Sequence, residues 1–282
     1  MQIIKTTDQV NAVLQSVRGD GKTQIGFVPT MGALHQGHLA LIERAKRENE
    51  FVVSSIFVNP LQFNNSSDLV NYPRNYKRDV ELLKSHQCDL LFCPSVEEIY
   101  PEPQHKVYDF GLLDKVMEGV YRPGHFNGVA IVVKRLFDII NPHRSYFGEK
   151  DYQQLAVIRK LVEMEQSNVE IVSCPTIREA DGLAMSSRNT RLSPEQRAKA
   201  PMIYQILQQV RILAESHSVE EIKKWVVEKF DSAPIAKLEY FELSDADTLL
   251  PITQLHPRRK IVAAIAAYFG EVRLIDNIII FP

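Results

Sequence analysis

Two histidines three residues apart, His35 and His38, bracket a glycine in the run Pro29-Thr30-Met31-Gly32-Ala33-Leu34-His35-Gln36-Gly37-His38. An apolar run over 25–28 precedes the pair and a helical pattern over 39–48 follows it, so the local order is strand, tight turn, helix. Residues at i and i+3 share a helix face, which lets both imidazoles point the same way. The first turn of a helix also offers unpaired backbone N–H groups and the positive end of the peptide dipole. Two imidazoles beside such an end suit an anion, phosphate foremost, and nucleotide binding is the leading reading. A lone helical histidine is ordinarily structural, but here Pro29, Gly32 and Gly37 shape the backbone around a pair. Zinc fits less well, because no cysteine or acidic residue within the turn completes a ligand set.

Other stretches say little in isolation. Gly148-Glu149-Lys150-Asp151 lies between a short strand and a helix. Lys150 is a point charge able to reach phosphate, yet alone this run reads as a solvated helix start. Ser186-Ser187-Arg188 offers two hydroxyls and a guanidinium that can grip a triphosphate, yet alone it reads as a linker with a capping serine. Gly21-Lys22-Thr23 looks like the end of a P-loop. That loop needs a glycine where Ser16 stands, with a strand before and a helix after, whereas here the order is reversed. It reads as a turn.

The blocks acquire meaning together. The His-x-Gly-His turn resembles the signature of the nucleotidyltransferase superfamily. The longer ten-residue string resembles the narrower pantothenate synthetase (pantoate–β-alanine ligase) family. Six further blocks resemble that family in order: Phe57-Val58-Asn59-Pro60-Leu61-Gln62-Phe63, Tyr72-Pro73-Arg74, Arg122-Pro123-Gly124-His125-Phe126, Phe147-Gly148-Glu149-Lys150-Asp151, Asp181-Gly182-Leu183-Ala184-Met185-Ser186-Ser187-Arg188-Asn189, and Arg273-Leu274-Ile275-Asp276-Asn277. They span nearly the whole chain.

The resemblance implies a two-step reaction. The carboxylate of pantoate attacks the α-phosphorus of ATP, giving pantoyl adenylate and pyrophosphate. The amine of β-alanine then displaces AMP to give pantothenate. By the same resemblance the catalytic residues are His38, His35 and Lys150. ATP would be bound by Met31, Gly32, Ala33, Leu34, His35, Gln36, Gly37, His38, Gly148, Glu149, Lys150, Asp151, Ile177, Met185, Ser186, Ser187 and Arg188. Gln62 and Gln154 would bind pantoate, and Gln62 also β-alanine; an amide both donates and accepts, so it can read a hydroxyl and a carboxylate. Core packing is the competing task for Met31. The run Arg122-Pro123-Gly124-His125-Phe126 would wall the site or serve as a rigid turn.

Mg²⁺ would enter with the ATP phosphates, with Asp79 as its tentative protein ligand. Some relatives carry a second acid just before that position, where this chain has Arg78. Ser67-Asp68 also stands where Glu-Asp is usual, in a surface loop. No tightly bound organic cofactor is implied, and the family association is a homodimer.

Positioning these groups calls for an α/β fold. Strand patterns over 25–28, 51–58 and 89–93 alternate with helical patterns over 39–49 and 75–85. A helix over 129–140, a short strand over 145–147, a helix over 151–166 and a strand over 169–173 follow. Such alternation predicts a Rossmann-like parallel sheet. Ser193-Pro194-Glu195 opens a helical stretch to about 215, with another over 219–230. Strand patterns over 238–243, 261–269 and 272–280 complete a smaller α+β domain with antiparallel strands. The expected division is 1–176 for the nucleotide- and pantoate-binding domain, 177–190 for a hinge and phosphate-gripping loop, and 191–282 for a C-terminal α+β lid.

Composition bounds the rest. The 282 residues carry a net charge of −2, with 45% hydrophobic and 24% charged residues, ordinary for a water-soluble globular chain. Near-neutrality argues against broad nucleic-acid binding. Three cysteines form neither an even set nor a Cys-x-x-Cys pair, which suits a reducing cytoplasm. The longest apolar run, 261–269, is too short to span a bilayer. Two other functions compete: nucleotidyl transfer to a phosphorylated acceptor, which shares the His-x-Gly-His turn, and a catalytically dead nucleotide sensor. The first does not require Gln62 and Gln154, and the second predicts loss of His38 or Lys150.

Overall fold

The computed structural model describes residues 1–21 and 23–281. Lys22, the lysine of the P-loop-like string, lies outside them. Gly21 ends a 3-10 turn over Arg18–Asp20 in a left-handed conformation. A helix, Thr7–Val17 (α1), precedes it and a strand, Ile25–Thr30, follows, the reverse of what a phosphate loop requires.

The chain divides into two compact units. The first comprises Met1–Phe110, Arg122–Glu149 and Gln154–Pro175. It holds a six-stranded sheet: β1 (Gln2–Ile4), β2 (Ile25–Thr30), β3 (Phe51–Ile56), β4 (Leu90–Phe92), β5 (Arg144–Gly148) and β6 (Glu170–Cys174). The strand order is β1-β4-β3-β2-β5-β6 and every pairing is parallel. Parallel strands need crossover connections. These contain α1, α2 (Gln36–Glu48), α3 (Tyr76–Ser85), α4 (His125–Ile140) and α5 (Tyr152–Met164). The central strands β2 and β3 are buried along nearly their whole length, so they read as continuous apolar runs rather than alternating ones. Phe27 and Tyr146 are fully buried within this core. The Tyr146 hydroxyl accepts from Asn49 Nδ2 (2.7 Å) and donates to Glu48 (2.9 Å).

The strand order places the site. From β2 the chain moves through β3 and β4 to one side, then returns to add β5 and β6 on the other. Such a reversal opens a crevice at the carboxyl ends of the two flanking strands, and open α/β sheets bind ligands there. Here those ends are Thr30 of β2 and Gly148 of β5.

The second unit comprises Gly111–Tyr121, Lys150–Gln153 and Thr176–Pro282. Its antiparallel sheet has the order β7 (Ala236–Asp245), β8 (Ile261–Phe269), β9 (Val272–Ile279). The helices α6 (Met202–Leu213) and α7 (Val219–Asp231) share its apolar core, in which Leu207, Ile222, Val226 and Ile265 are fully buried. Ser193 caps the short helix Pro194–Lys199 in a reciprocal box with Gln196, with proline at the first position. Ser218 caps α7 the same way with Glu221.

All three cysteines are free thiols. Burial pushes Cys88 up to about 12 and Cys93 up to about 11, so neither is a thiolate at neutral pH. Among the described residues no helix is long and apolar enough to cross a membrane.

Candidate active site

The turn leaving β2 is built on a conformation that only a dense set of contacts can hold. Thr30 Oγ1 donates to the Ser55 carbonyl (2.7 Å) and accepts from Gly32 N–H (3.1 Å). Gly32 and Ala33 are both left-handed, at φ +80° and +49°. Glycine adopts this region freely, whereas alanine does so at a cost of about 1–2 kcal/mol. The Asp79 carboxylate offsets that cost: Oδ2 accepts from Ala33 N–H and Oδ1 from Leu34 N–H, each at 2.8 Å. Asp79 is 2% exposed and lies in the first turn of α3.

Asp79 is the residue expected above as a tentative Mg²⁺ ligand, and each of its oxygens accepts one backbone N–H. Among the described residues no group of three or more His, Cys, Asp or Glu side chains is arranged to hold a metal.

The two histidines cap α2 reciprocally. His35 is the N-cap, and its Nδ1 accepts from Gly37 N–H at 3.1 Å. His38 Nδ1 reaches back to His35 N–H at 3.4 Å. The rings lie 4.1 Å apart, tilted by 39°. Because each Nδ1 is an acceptor, the proton of each neutral ring sits on Nε2. The pair sits at the opening turn of a helix.

Gln62 ends a 3-10 turn, Pro60–Gln62, just after β3. It is 8% exposed. Its Oε1 accepts from Asn59 Nδ2 (3.1 Å), which turns its Nε2 toward Met31 Sδ (3.2 Å). Asn59 is fully buried and accepts from Leu61 N–H and the Tyr100 hydroxyl. The Gln62 carbonyl accepts from His125 Nδ1 at 2.9 Å, while Arg122 donates to His125 Nε2 at 3.1 Å. The Arg122–His125 turn is therefore fastened to the backbone of Gln62. Gln154 is half-buried near the start of α5.

Lys150, Asp151, Ile177, Met185, Ser186, Ser187 and Arg188 belong to the second unit, while the remaining candidate residues belong to the first. Lys150 lies in a 3-10 turn, Glu149–Asp151, and its carbonyl accepts from Asn277 Nδ2 at 2.8 Å. Residues 177–185 form a tight hairpin closed by Met185 N–H to the Ile177 carbonyl (3.0 Å). Ser186 then caps the 3-10 turn Ser187–Arg191, accepting from Arg188 N–H at 3.2 Å. Ser187 is buried.

Asn59, His125, Gln153 and Asn277 carry weight that sequence reasoning left unassigned. Three of them stand in motif blocks already singled out, which is the one signal that marks them. Gln153 neighbours Gln154 and is 5% exposed; it donates to the Leu113 and Val116 carbonyls and accepts from Glu118 N–H.

Comparisons with known proteins show the family of the chain. The family model described as pantoate–β-alanine ligase matches residues 2–279. A pantothenate synthetase of Bacteroides fragilis (strain YCH46) is 49% identical over 278 residues, covering 99% of this chain and 98% of that relative. A crystal structure of pantothenate synthetase from Thermus thermophilus superposes with a TM-score of 0.92 at 47% identity, with both chains fully covered. A pantoate–β-alanine ligase from Francisella tularensis, complexed with β-γ ATP and β-alanine, has a TM-score of 0.84 at 38% identity, covering 99% of this chain and 98% of that one.

Proposed function

The chain belongs to the pantoate–β-alanine ligase family and is an ATP-using ligase of pantothenate biosynthesis; from that premise we propose that it works through a pantoyl adenylate, in two steps divided among the residues described above. The observation that carries this reading is the reciprocally capped pair His35 and His38 opening α2, in the turn that follows β2, where the strand order reverses.

In the first step the pantoate carboxylate attacks the α-phosphorus of ATP. A carboxylate needs no general base. The chain's task is to align the two reactants and to neutralise charge building on the phosphates. His38 and His35 donate from Nε2 to the phosphate oxygens, and Lys150 adds a full positive charge as pyrophosphate departs. Ser186, Ser187 and Arg188 bind the polyphosphate, and Ile177 lines the adenine. Met31 through Gly37 and Gly148 through Asp151 supply the nucleotide-binding backbone.

In the second step the β-alanine amine attacks the acyl carbon and AMP leaves. Gln62 orients pantoate and then β-alanine, and Gln154 holds pantoate. The Asn59 contact fixes which end of the Gln62 amide donates. Mg²⁺ travels with ATP, bound by the phosphates rather than by a protein cage. The ligase acts in the cytoplasm as a homodimer.

The test is pyrophosphate release. ATP with pantoate alone should yield pyrophosphate, and β-alanine added afterwards should yield AMP and pantothenate. His38→Ala should slow the pantoate-dependent step by roughly 10²–10³-fold, the usual loss for one preorganised charge-stabilising donor. Pyrophosphate release that ignores pantoate would overturn the assignment.

A further inference from the structure

The block Arg273-Leu274-Ile275-Asp276-Asn277 lies on β9, an edge strand of the antiparallel sheet, and the two-step chemistry gives it no task. Its three polar side chains each grip a different segment of the second unit. Arg273 pairs with both oxygens of Glu118 (2.9 and 2.7 Å) and with Glu239 (2.8 Å). Asp276 accepts from both terminal nitrogens of Arg178 (2.6 and 3.0 Å). Asn277 donates to the carbonyl of Lys150 (2.8 Å).

These contacts converge on the segments that carry the phosphate-binding groups. Arg178 also donates to the Gly182 carbonyl (3.1 Å) and stacks on the Tyr204 ring at 3.8 Å, which straps down the hairpin leading into Ser186. Gly182 sits at φ +92°, and a Cβ there would lie 2.4 Å from Tyr204, so the strap is tight. β9 also packs against the turn Ser187–Arg191. Lys150 is held from a second side, since Gln153 bonds to residues 113, 116 and 118, and Arg273 anchors that stretch through Glu118. Asp276 and Asn277 are 4% and 8% exposed, and buried polar groups with full partners hold one geometry.

We propose that Asp276 and Asn277 are positioning residues for the adenylation step, with β9 holding Lys150 and the Ser186–Arg188 turn in one preset arrangement. The inference rests on the reading of Lys150 and Ser186–Arg188 as phosphate-binding groups. A group that stabilises charge does so best when its position is fixed before reaction, and a shift of about 1 Å can cost on the order of 10²-fold in rate.

A double-mutant cycle tests it. Asn277→Ala should lower pantoate-dependent pyrophosphate release by roughly 10–100-fold. KM for pantoate, and the reaction of isolated pantoyl adenylate with β-alanine, should stay within a few-fold of wild type. In a Lys150→Ala background the same substitution should cost almost nothing further, because its effect runs through Lys150. Asp276→Asn should behave likewise against Arg188→Ala. Thermal melting checks that each variant folds. Should Asn277→Ala unfold, Asn277→Leu keeps the volume and removes the donor; should Asp276→Asn unfold, Arg178→Lys takes its place. Additive losses in either cycle, a folded Asn277 variant with unimpaired adenylation, or a harmless Lys150→Ala would each overturn the proposal. Wild-type protein that releases no pantoate-dependent pyrophosphate would overturn the functional reading itself, which separates the two failures.

Discussion

Asp79 shows how one buried carboxylate can hold the backbone of a turn. Its two oxygens hold consecutive N–H groups of a turn whose Ala33 stands at positive φ. Asp79→Asn offers one oxygen and one amide N–H₂, and the latter faces a donor. One buried N–H is then left unpaired, at about 1–3 kcal/mol of stability. We expect a lower urea midpoint and slower adenylation, with the Mg²⁺ concentration for half-maximal rate unchanged. A shifted Mg²⁺ requirement at wild-type stability would instead make Asp79 a metal ligand. The histidine pair was legible from spacing alone, because i and i+3 on a helix opening fix a shared face. The role of Asp79 was not, because its partners lie 45 and 46 residues away and the contact is made by tertiary structure.

Among the elements, α4 and the 3-10 turn bearing Gln62 meet more closely than any side chain allows. A Cβ on Gly128 would lie 2.1 Å from the Leu61 carbonyl oxygen and 2.7 Å from Gln62 N. Gly128→Ala must push the turn away, a strain of about 1–3 kcal/mol. The expected result is a raised KM for pantoate with ATP affinity, measured calorimetrically, within a few-fold of wild type. An unchanged KM for pantoate would separate Gln62 from the acid pocket. The long buried strands β2 and β3 and the helices of the second unit were readable from apolar runs, from the Ser-Pro start at 193–194 and from the helical pattern over 219–230. The edge strand β1 was not, since three residues carry too little periodicity. The start of α4 at His125, four residues before the apolar pattern begins, was hidden by the polar Asn127 and by Gly128. Helix boundaries follow caps and packing, and here Gly124 in a left-handed conformation sets the start.

The molecule as a whole should be sensitive to acid. Thr7 N–H holds the Glu98 carboxyl below its ordinary range, and Lys106 does the same for Glu165. Thr248 N–H lowers Asp245, and Arg44 lowers Glu48. A carboxyl with a depressed folded-state pKa binds fewer protons folded than unfolded. Its contribution is therefore complete above the unfolded carboxyl range and is lost as the pH falls through the folded-state values. The urea midpoint should hold steady from pH 7 to about 5 and drop below about pH 4. A midpoint that climbs on acidification would contradict this. The division into a parallel and an antiparallel sheet was legible in the order of strand and helix patterns. The entry of Gly111–Tyr121 and Lys150–Gln153 into the second unit was not, because those segments are fixed by buried polar contacts made across the chain rather than by any local pattern.

That interleaving has a consequence for synthesis on the ribosome. Asn277, which fastens Lys150, lies 127 residues downstream of it. At roughly 5–20 residues per second, translation of that interval takes on the order of 6–25 s. Throughout that time the nascent chain carries Lys150 without its anchor, even when the strands of the parallel sheet are already available to pair. On the proposed role of Lys150, competence for phosphate chemistry waits for β9, the last strand to be made.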